Sequence, residues 1–197
     1  MKKKYVQVGL GGRASLFYEA IASTYHQTCE LVGFCDVSQT RMDYANRVLV
    51  NKYGQKKVKT CMPSQFEQLL DDVQPDEVII TSVDRTHHDY IIRAMRKGYD
   101  VICEKPLTID EEKAQEIITV QKQTGRNLRV TFNYRYAPYH TKIKELLEKD
   151  IIGDVFSIHF EWLLNTQHGA DYFRRWHRNK HNSGGLLVHK STHHLIW

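Results

Sequence analysis

The glycines that follow the first apolar run are the residues whose types and spacing point most directly to chemistry. Val6 and Val8 form a short alternating run, and Gly9, Gly11 and Ala14 follow with the spacing G-x-G-x-x-A. A residue without Cβ permits a tight turn at the first position and a close approach of the backbone to a pyrophosphate at the second. The N–H groups of a helix that begins near Ala14 would bind the same anion. The spacing predicts dinucleotide binding, although glycine-rich turns also simply end strands.

An acidic residue follows the second predicted strand. The run over residues 30–35 ends in Asp36, at about the separation from the glycines that a βαβ unit requires. A carboxylate there accepts hydrogen bonds from adenosine ribose hydroxyls and repels a 2′-phosphate, which favours NAD and makes NADP the less favoured cofactor. Arg41 would act in the opposite direction and favour NADP, because it could turn towards such a phosphate. The alternative role of Asp36 is to cap a helix over residues 41–53, since aspartate is a common N-cap.

The histidines near the end of the sequence raise the question of a metal. Seven of the 11 histidines lie between His159 and His194, and His189 and His193 have the i, i+4 spacing of two ligands on a helix. However, Lys190 occupies the place of the glutamate in a His-Glu-x-x-His motif, and no cysteine lies nearby. We therefore expect no metal site.

Alternating strand-like and helix-like segments must position these residues. The first helix is expected to turn Phe17, Ala20, Ile21 and Tyr25 towards a core. The later segments are predicted as helices over 64–70, 89–96, 110–124 and 139–149 and as strands over 77–81, 100–103 and 128–132. Such alternation forms an α/β Rossmann fold, a right-handed, doubly wound parallel sheet with helices on both faces.

The pattern changes in the last third of the sequence. We assign residues 1–125 to an NAD-binding Rossmann domain and residues 126–197 to the incomplete start of an α+β substrate and oligomerisation domain. Residues 155–162 alternate like a half-exposed strand. The sequence stops at Trp197, a few residues into a predicted helix. We expect a fragment of a longer protein that binds cofactor but is poorly active alone, with a naturally short chain as the alternative.

Composition excludes several classes of protein. The 197 residues are 41% hydrophobic and 26% charged, and no apolar run approaches the roughly 18 residues of a membrane span. The basic start, Met1 to Lys4, is not followed by the apolar region of an export signal, which predicts a cytoplasmic protein. The net charge of +5 is spread along the chain, so nucleic acid is not an expected partner.

Taken together, the motifs resemble the Gfo/Idh/MocA family, the glucose-fructose oxidoreductase and inositol dehydrogenase group of nicotinamide-dependent enzymes. The resemblance rests above all on Glu104-Lys105-Pro106 after a predicted strand, and also on the glycine turn, on the stretch from Ser82 to His87, and on the Gly184-Gly185 segment that leads to His193. It implies a cofactor site made of Gly9, Gly11, Gly12, Arg13, Ala14, Asp36, Arg41, Ser82, His87, Glu104, Lys105, Pro106 and Arg135.

The resemblance also implies catalytic residues. In the family the lysine of the Glu-Lys-Pro motif lies beside nicotinamide and substrate, and the proline follows a cis bond. The late family motif has its catalytic histidine at His193 and an aspartate four residues earlier, where this sequence has His189. We expect His193 to be the base, because a histidine pKa of about 6.5 suits it, Lys105 to stabilise negative charge, and His189 to tune the site. The sequence also has Ser82-Val83-Asp84 where the family often has Thr-Pro-Asn.

The predicted function is that of an NAD(P)-dependent dehydrogenase that transfers hydride between nicotinamide and a sugar, cyclitol or glycoside. The full-length form is expected to be a homo-oligomer with a small carbohydrate as substrate. One alternative is an NAD-recycling glycoside hydrolase of the same fold, which would release free sugar without net NADH. The other is a non-catalytic nucleotide-binding protein, which titration with NAD and sugars would distinguish.

Overall fold

A parallel sheet forms the centre of the molecule. The computed structural model describes residues 1–163 and 165–194, except the side chains of residues 168 and 171. The strands are β1 (Lys3–Val8), β2 (Cys29–Cys35), β3 (Lys59–Cys61), β4 (Glu77–Ile80), β5 (Asp100–Glu104) and β6 (Leu128–Thr131). They pair in parallel in the order β3-β2-β1-β4-β5-β6. The strand order therefore reverses beside β1, which is where doubly wound sheets bind ligands at the strands' carboxyl ends.

Helices connect the strands and cover both faces of the sheet. They are α1 (Ser15–Ala22), α2 (Gln39–Tyr53), α3 (Phe66–Val73), α4 (Asp84–Arg96), α5 (Glu111–Thr124), α6 (Pro138–Glu148), α7 (Thr166–Arg174) and α8 (Lys180–Ser183). Phe34 of β2 packs with Met42 of α2 in one buried cluster, whereas Val78 of β4 packs with Ile91 of α4 in another. The predicted α/β Rossmann architecture is confirmed. No described helix is both long and apolar enough to cross a bilayer.

The prediction for the buried face of the first helix was right at Ile21 and wrong at Tyr25. Ala14, Tyr18, Ile21 and Ala22 are buried, whereas Tyr25 lies beyond the helix and is 55% exposed. The cause is the anchoring of the helix start: the side-chain amide of Gln7 donates to the carbonyl of Ala14 at 3.0 Å. With Ala14 held on the sheet, the residue one turn later faces the core, and Tyr18 packs edge-on against Phe34 with centroids 5.9 Å apart.

Two further predictions differ from the structure in extent. Helix α4 begins at Asp84 and not at residue 89, because the Thr86 hydroxyl bonds Ser82 Oγ at 2.8 Å and orders the first turn. An acidic residue in that turn is also favoured by the helix dipole. Strand β3 was not predicted; it has only three residues and lies at the sheet edge.

The region after β6 is less regular than predicted. Residues 155–162 form no strand within the described chain, and Phe156 and Ile158 are 94% and 85% exposed. A strand needs ladder hydrogen bonds from a neighbour, and none of the six described strands pairs with this segment. The final helix is described as a single π-helical turn, Leu187–Ser191, and residues 195–197 of that prediction lie outside the described residues. The predicted domain boundary at residue 125 stays a prediction; β6 lies beyond it and pairs with β5.

Candidate functional site

Gly9 ends β1 in a conformation that requires glycine. Its φ is +81°, and an added Cβ would lie 2.5 Å from the backbone N and Cα of Ser82. The turn is bound to both neighbouring strands, because Gly9 N donates to the Cys35 carbonyl at 2.8 Å and the Thr81 hydroxyl donates to the Gly9 carbonyl at 2.5 Å. A β-carbon here would push the first and fourth strands apart at the edge where the other candidate residues gather.

The outer side of the same turn is open. An added Cβ at Gly11 or Gly12 would meet no atom within 4 Å. Within the described chain the N–H groups of Gly11, Gly12 and Arg13 donate no hydrogen bond, and α1 begins without a side-chain cap. A cavity of about 310 Å³ adjoins them, lined by Leu10, Gly11, Gly12, Ser15, Tyr18, Glu19, Arg41, Tyr44 and Ala45. These unpaired donors and this space fit a nucleotide pyrophosphate.

A larger cavity lies elsewhere and contains none of the candidate residues. It has a volume of about 600 Å³ and is lined by the end of α1, by β2 and by the segment from Gly54 to Lys59. We place the site at the smaller cavity, because the open glycine turn and the unpaired amides are there.

Asp36 joins the glycine turn to the start of α2. Its Oδ2 accepts from Leu10 N at 2.5 Å and its Oδ1 from Ser38 N at 2.8 Å, while Arg41 Nη1 lies 3.8 Å from Oδ1. The cap of α2 is Ser38, so Asp36 bonds the capping residue and not the first turn of the helix. Each carboxylate oxygen has a second lone pair and can still accept from a ribose hydroxyl.

Glu104 connects the glycine turn to the Glu-Lys-Pro motif. Arg13 Nε donates to Glu104 Oε1 at 3.1 Å, and Lys105 N donates to Glu104 Oε2 at 3.0 Å. The carboxylate is 9% exposed, whereas the Arg13 side chain is 52% exposed. The Lys105-Pro106 peptide bond is cis, as the family resemblance implies.

His87 holds the ends of β4 and β5 together. Its Nδ1 lies 2.8 Å from the Pro106 carbonyl and its Nε2 lies 3.1 Å from the Ser82 carbonyl. A neutral imidazole carries one N–H, so it donates to one of these carbonyls at a time. His87 is 1% exposed, so it is a buried residue that links the Glu-Lys-Pro turn to the end of β4.

Lys105 reaches from β5 to the late histidine segment. Its Nζ donates to the carbonyl of His189 at 2.7 Å. Burial lowers the pKa of Lys105, and Asp84 and Glu104 oppose that shift through their charges. The amine is therefore oriented by a backbone carbonyl and held where its proton is easier to remove than in water.

Asp84 forms a pair that sequence reasoning did not find. His189 Nδ1 lies 2.5 Å from Asp84 Oδ2, and the two side chains are 10% and 4% exposed. Asp84 was noted only as a departure from the family pattern, and His189 was a second departure. The useful signal was that, relative to the family pattern, this chain has a carboxylate in place of an asparagine at Asp84 and has lost a carboxylate at His189. The structure brings the two departures into contact.

His193 lies in an aromatic cluster. Its ring stacks on Tyr134 with centroids 4.2 Å apart and planes inclined by 17°, and it is 5% exposed. Among the described residues its Nδ1 is buried without a hydrogen-bond partner. Burial, helped by the charges of Lys105 and Lys190, lowers the pKa of His193 to about 3. Burial is the larger cause of this pKa shift, and the role of His193 stays a prediction.

The last predicted residue lies apart from this group. Arg135 is exposed in the turn Asn133–Tyr136, and its guanidinium makes no ion pair in the described part of the chain. No group of three or more metal-ligating side chains lies together among the described residues. His189 and His193 have different neighbours, a carboxylate and a tyrosine ring.

Comparison with known proteins identifies the family. Residues 3–132 match the Gfo/Idh/MocA model described as an oxidoreductase family with an NAD-binding Rossmann fold. The chain belongs to this family. Residues 144–195 match the C-terminal α/β domain of Gfo/Idh/MocA proteins.

Similar proteins extend the comparison. YteT of Bacillus subtilis, named as an oxidoreductase, is 36% identical over 98% of this chain and 45% of its own length. D-glucoside 3-dehydrogenase of Escherichia coli is 27% identical over 79% of this chain and 43% of its own length. The fold of myo-inositol 2-dehydrogenase from Lactobacillus plantarum is similar over 98% of this chain and 54% of that chain, with a TM-score of 0.82 and 21% identity. The chain spans about half the length of the Gfo/Idh/MocA proteins it matches.

Proposed function

We propose that this Gfo/Idh/MocA protein transfers hydride between a nicotinamide cofactor and a hydroxyl-bearing carbon of a sugar, cyclitol or glycoside. The observation that carries the proposal is the meeting of Lys105 with His189 at the carboxyl edge of the sheet, beside an open glycine turn. A relative named as a D-glucoside 3-dehydrogenase supports a carbohydrate as the substrate class.

The cofactor would supply the hydride acceptor, and the chain's own residues would bind and orient it. The unpaired amides of Gly11, Gly12 and Arg13 would bind its pyrophosphate, and Asp36 would accept from a ribose hydroxyl. We propose NAD as the preferred form, because a 2′-phosphate near the buried Asp36 carboxylate would be repelled. The charge of Arg41, 3.8 Å from Asp36, partly offsets this repulsion.

The proton of the substrate hydroxyl must leave as hydride leaves carbon. Lys105 would stabilise the negative charge on that oxygen, since its amine is oriented by the His189 carbonyl. His193, neutral at pH 7 because its pKa is lowered to about 3, would accept the proton and pass it on. The same low pKa disfavours a lasting imidazolium, so His193 would act as a relay. The Asp84–His189 pair would hold the carbonyl that positions Lys105.

The test uses NAD binding first and turnover second. Calorimetry should show NAD binding, and a panel of sugars and cyclitols should be scored for both NADH and released sugar. In the full-length form, Lys105→Ala should leave NAD affinity nearly unchanged and lower kcat by about 10²-fold or more. His193→Ala should behave similarly, and the double variant should be little worse than either, because both residues serve one proton path. The exposed Lys52→Ala is the matched control.

Each alternative predicts a different result in the same assay. Free sugar without net NADH would favour the NAD-recycling glycoside hydrolase. Near wild-type kcat in both single variants would refute the assigned roles, and NAD binding without any turnover in the full-length form would favour the non-catalytic hypothesis. A cytoplasmic location and self-association stay predictions; the exposed side chains of Phe156 and Ile158 support the second, since exposed apolar surface favours association.

A further inference from the structure

Lys190 is a buried cation without a counter-ion. Its residue is 9% exposed, and within the described chain its ammonium forms no ion pair. Its nearest described aromatic partner is the ring of Tyr134, 5.8 Å from Nζ, which also stacks on His193. A cation–π contact of this length only partly replaces the water lost on burial. Lysine is almost never buried to this degree unless it is paired.

The charges around Lys190 do not balance. The charged groups that act on Lys105 and Lys190 are these two lysines and Arg13 as cations, and Glu104 and Asp84 as carboxylates. Glu104 is already bonded to Arg13, and Asp84 is bonded to His189. One positive charge is therefore left uncompensated among the described residues.

These cations repel one another. Burial and the charge of Arg13 lower the pKa of Lys190, and Lys190 in turn lowers the pKa values of Lys105 and His193. An anion placed among them would relieve the repulsion and replace the missing hydration of Lys190. The arrangement thus favours a ligand that carries negative charge.

We infer that the site formed by Lys105, His189 and His193 takes a carbohydrate with an anionic substituent, a carboxylate or a phosphate, which pairs with Lys190. This inference rests on the proposed function and specifies its substrate class. The rival anion is the pyrophosphate of the cofactor itself. The open glycine turn already offers that group three unpaired amides, whereas Lys190 contacts the ring of Tyr134, which stacks on His193.

The first experiment measures the charge preference of the unmodified protein. Dissociation constants for glucose, glucuronate and glucose 6-phosphate are determined in saturating NADH. At least one anionic sugar should bind about 10-fold or more tightly than glucose, as expected for a hydrogen-bonded pair with a charged group. Preference for glucuronate would identify a carboxylate, and preference for glucose 6-phosphate would identify a phosphate. If neither anionic sugar binds more tightly than glucose, the inference is refuted.

The second experiment assigns the preference to Lys190. Lys190→Met keeps the length of the side chain and should abolish the preference while leaving NADH affinity within about 2-fold. Lys190→Arg should retain most of the preference, and the exposed Lys180→Met should retain all of it. Equal loss of NADH affinity and of anion preference in Lys190→Met would assign Lys190 to the cofactor and overturn the inference.

The two proposals fail in different ways. Absence of NADH binding to the unmodified protein would refute the proposed function itself. Binding of NADH with hydride transfer to neutral sugars, and no advantage for charged ones, would keep the function and refute the substrate class.

Discussion

Replacing Asp84 with asparagine tests whether the pair with His189 positions Lys105. The change preserves the size of the side chain and one carbonyl oxygen, but removes the charge. The bond spans 2.5 Å between side chains that are 4% and 10% exposed, so solvent screens it little. Hydrogen bonds to charged groups contribute about 1.5–3 kcal/mol. If the whole bond serves the transition state, kcat should fall by roughly 10- to 150-fold.

The same substitution should move a limb of the pH profile. Asp84 raises the pKa of Lys105, opposing the effect of burial. Removing its charge lowers the pKa of Lys105 further, so the Lys105 ammonium loses its proton at a lower pH. If the ammonium is the working form, the alkaline limb of kcat against pH should shift to lower pH.

The assay compares two asparagine variants of the same helix. Asp89→Asn is the control, because Asp89 also lies on α4 but is 60% exposed and pairs with Arg93 at 2.9 Å. Its effect should be about 2-fold or less, as for exposed ion pairs. A downfield NMR proton resonance from His189 should be present in the unmodified protein and in Asp89→Asn and absent in Asp84→Asn. Equal kcat values and equal pH profiles for the two variants would refute the reasoning.

Three further changes test other parts of the site. Gly9→Ala should unfold at a clearly lower temperature, because its φ of +81° and its close backbone contacts exclude Cβ, whereas Gly11→Ala should keep its stability and weaken NAD binding in calorimetry. The stability that neutral His193 contributes is present above about pH 6.5 and is lost as the pH falls towards its folded pKa of about 3. Between pH 7 and pH 4, the free energy of unfolding measured with urea should therefore fall less for His193→Phe than for the control His159→Gln. An equal fall in the two variants would contradict this. Arg41→Ala should increase the preference for NAD over NADP in parallel titrations, and a decrease would contradict the assigned charges.

Local sequence signals were sufficient for the sheet apart from β3 and for the glycine turn. Gly9 could be predicted because the glycine spacing after a short apolar run marks a turn, and the strand ending at Glu104 because it is a short apolar run. The face of α1 could not, since it depends on a hydrogen bond from Gln7, a residue of the preceding strand, to Ala14. A three-residue edge strand such as β3 is too short for any periodicity.

The chemistry of the site was less accessible to sequence reasoning. Asp84 and His189 are separated by 105 residues, and no local pattern predicts which carboxylate meets which imidazole. The pKa of His193 depends on burial by Tyr134 and its neighbours, so the residue type alone gave the expected value near the unperturbed one. The uncompensated charge of Lys190 likewise required the positions of Arg13 and Lys105.

The distribution of the site along the chain has a consequence for synthesis. The bonds that shape the glycine turn join β1, β2, β4 and β5, all of which precede residue 105. The partner of Asp84 and the carbonyl that orients Lys105 are both supplied by His189. Chains fold from the amino terminus while they are being translated. The glycine turn can therefore form while the segment that carries His189 and His193 is still inside the ribosome. A nascent chain thus has a complete glycine turn before His189 is available to orient Lys105.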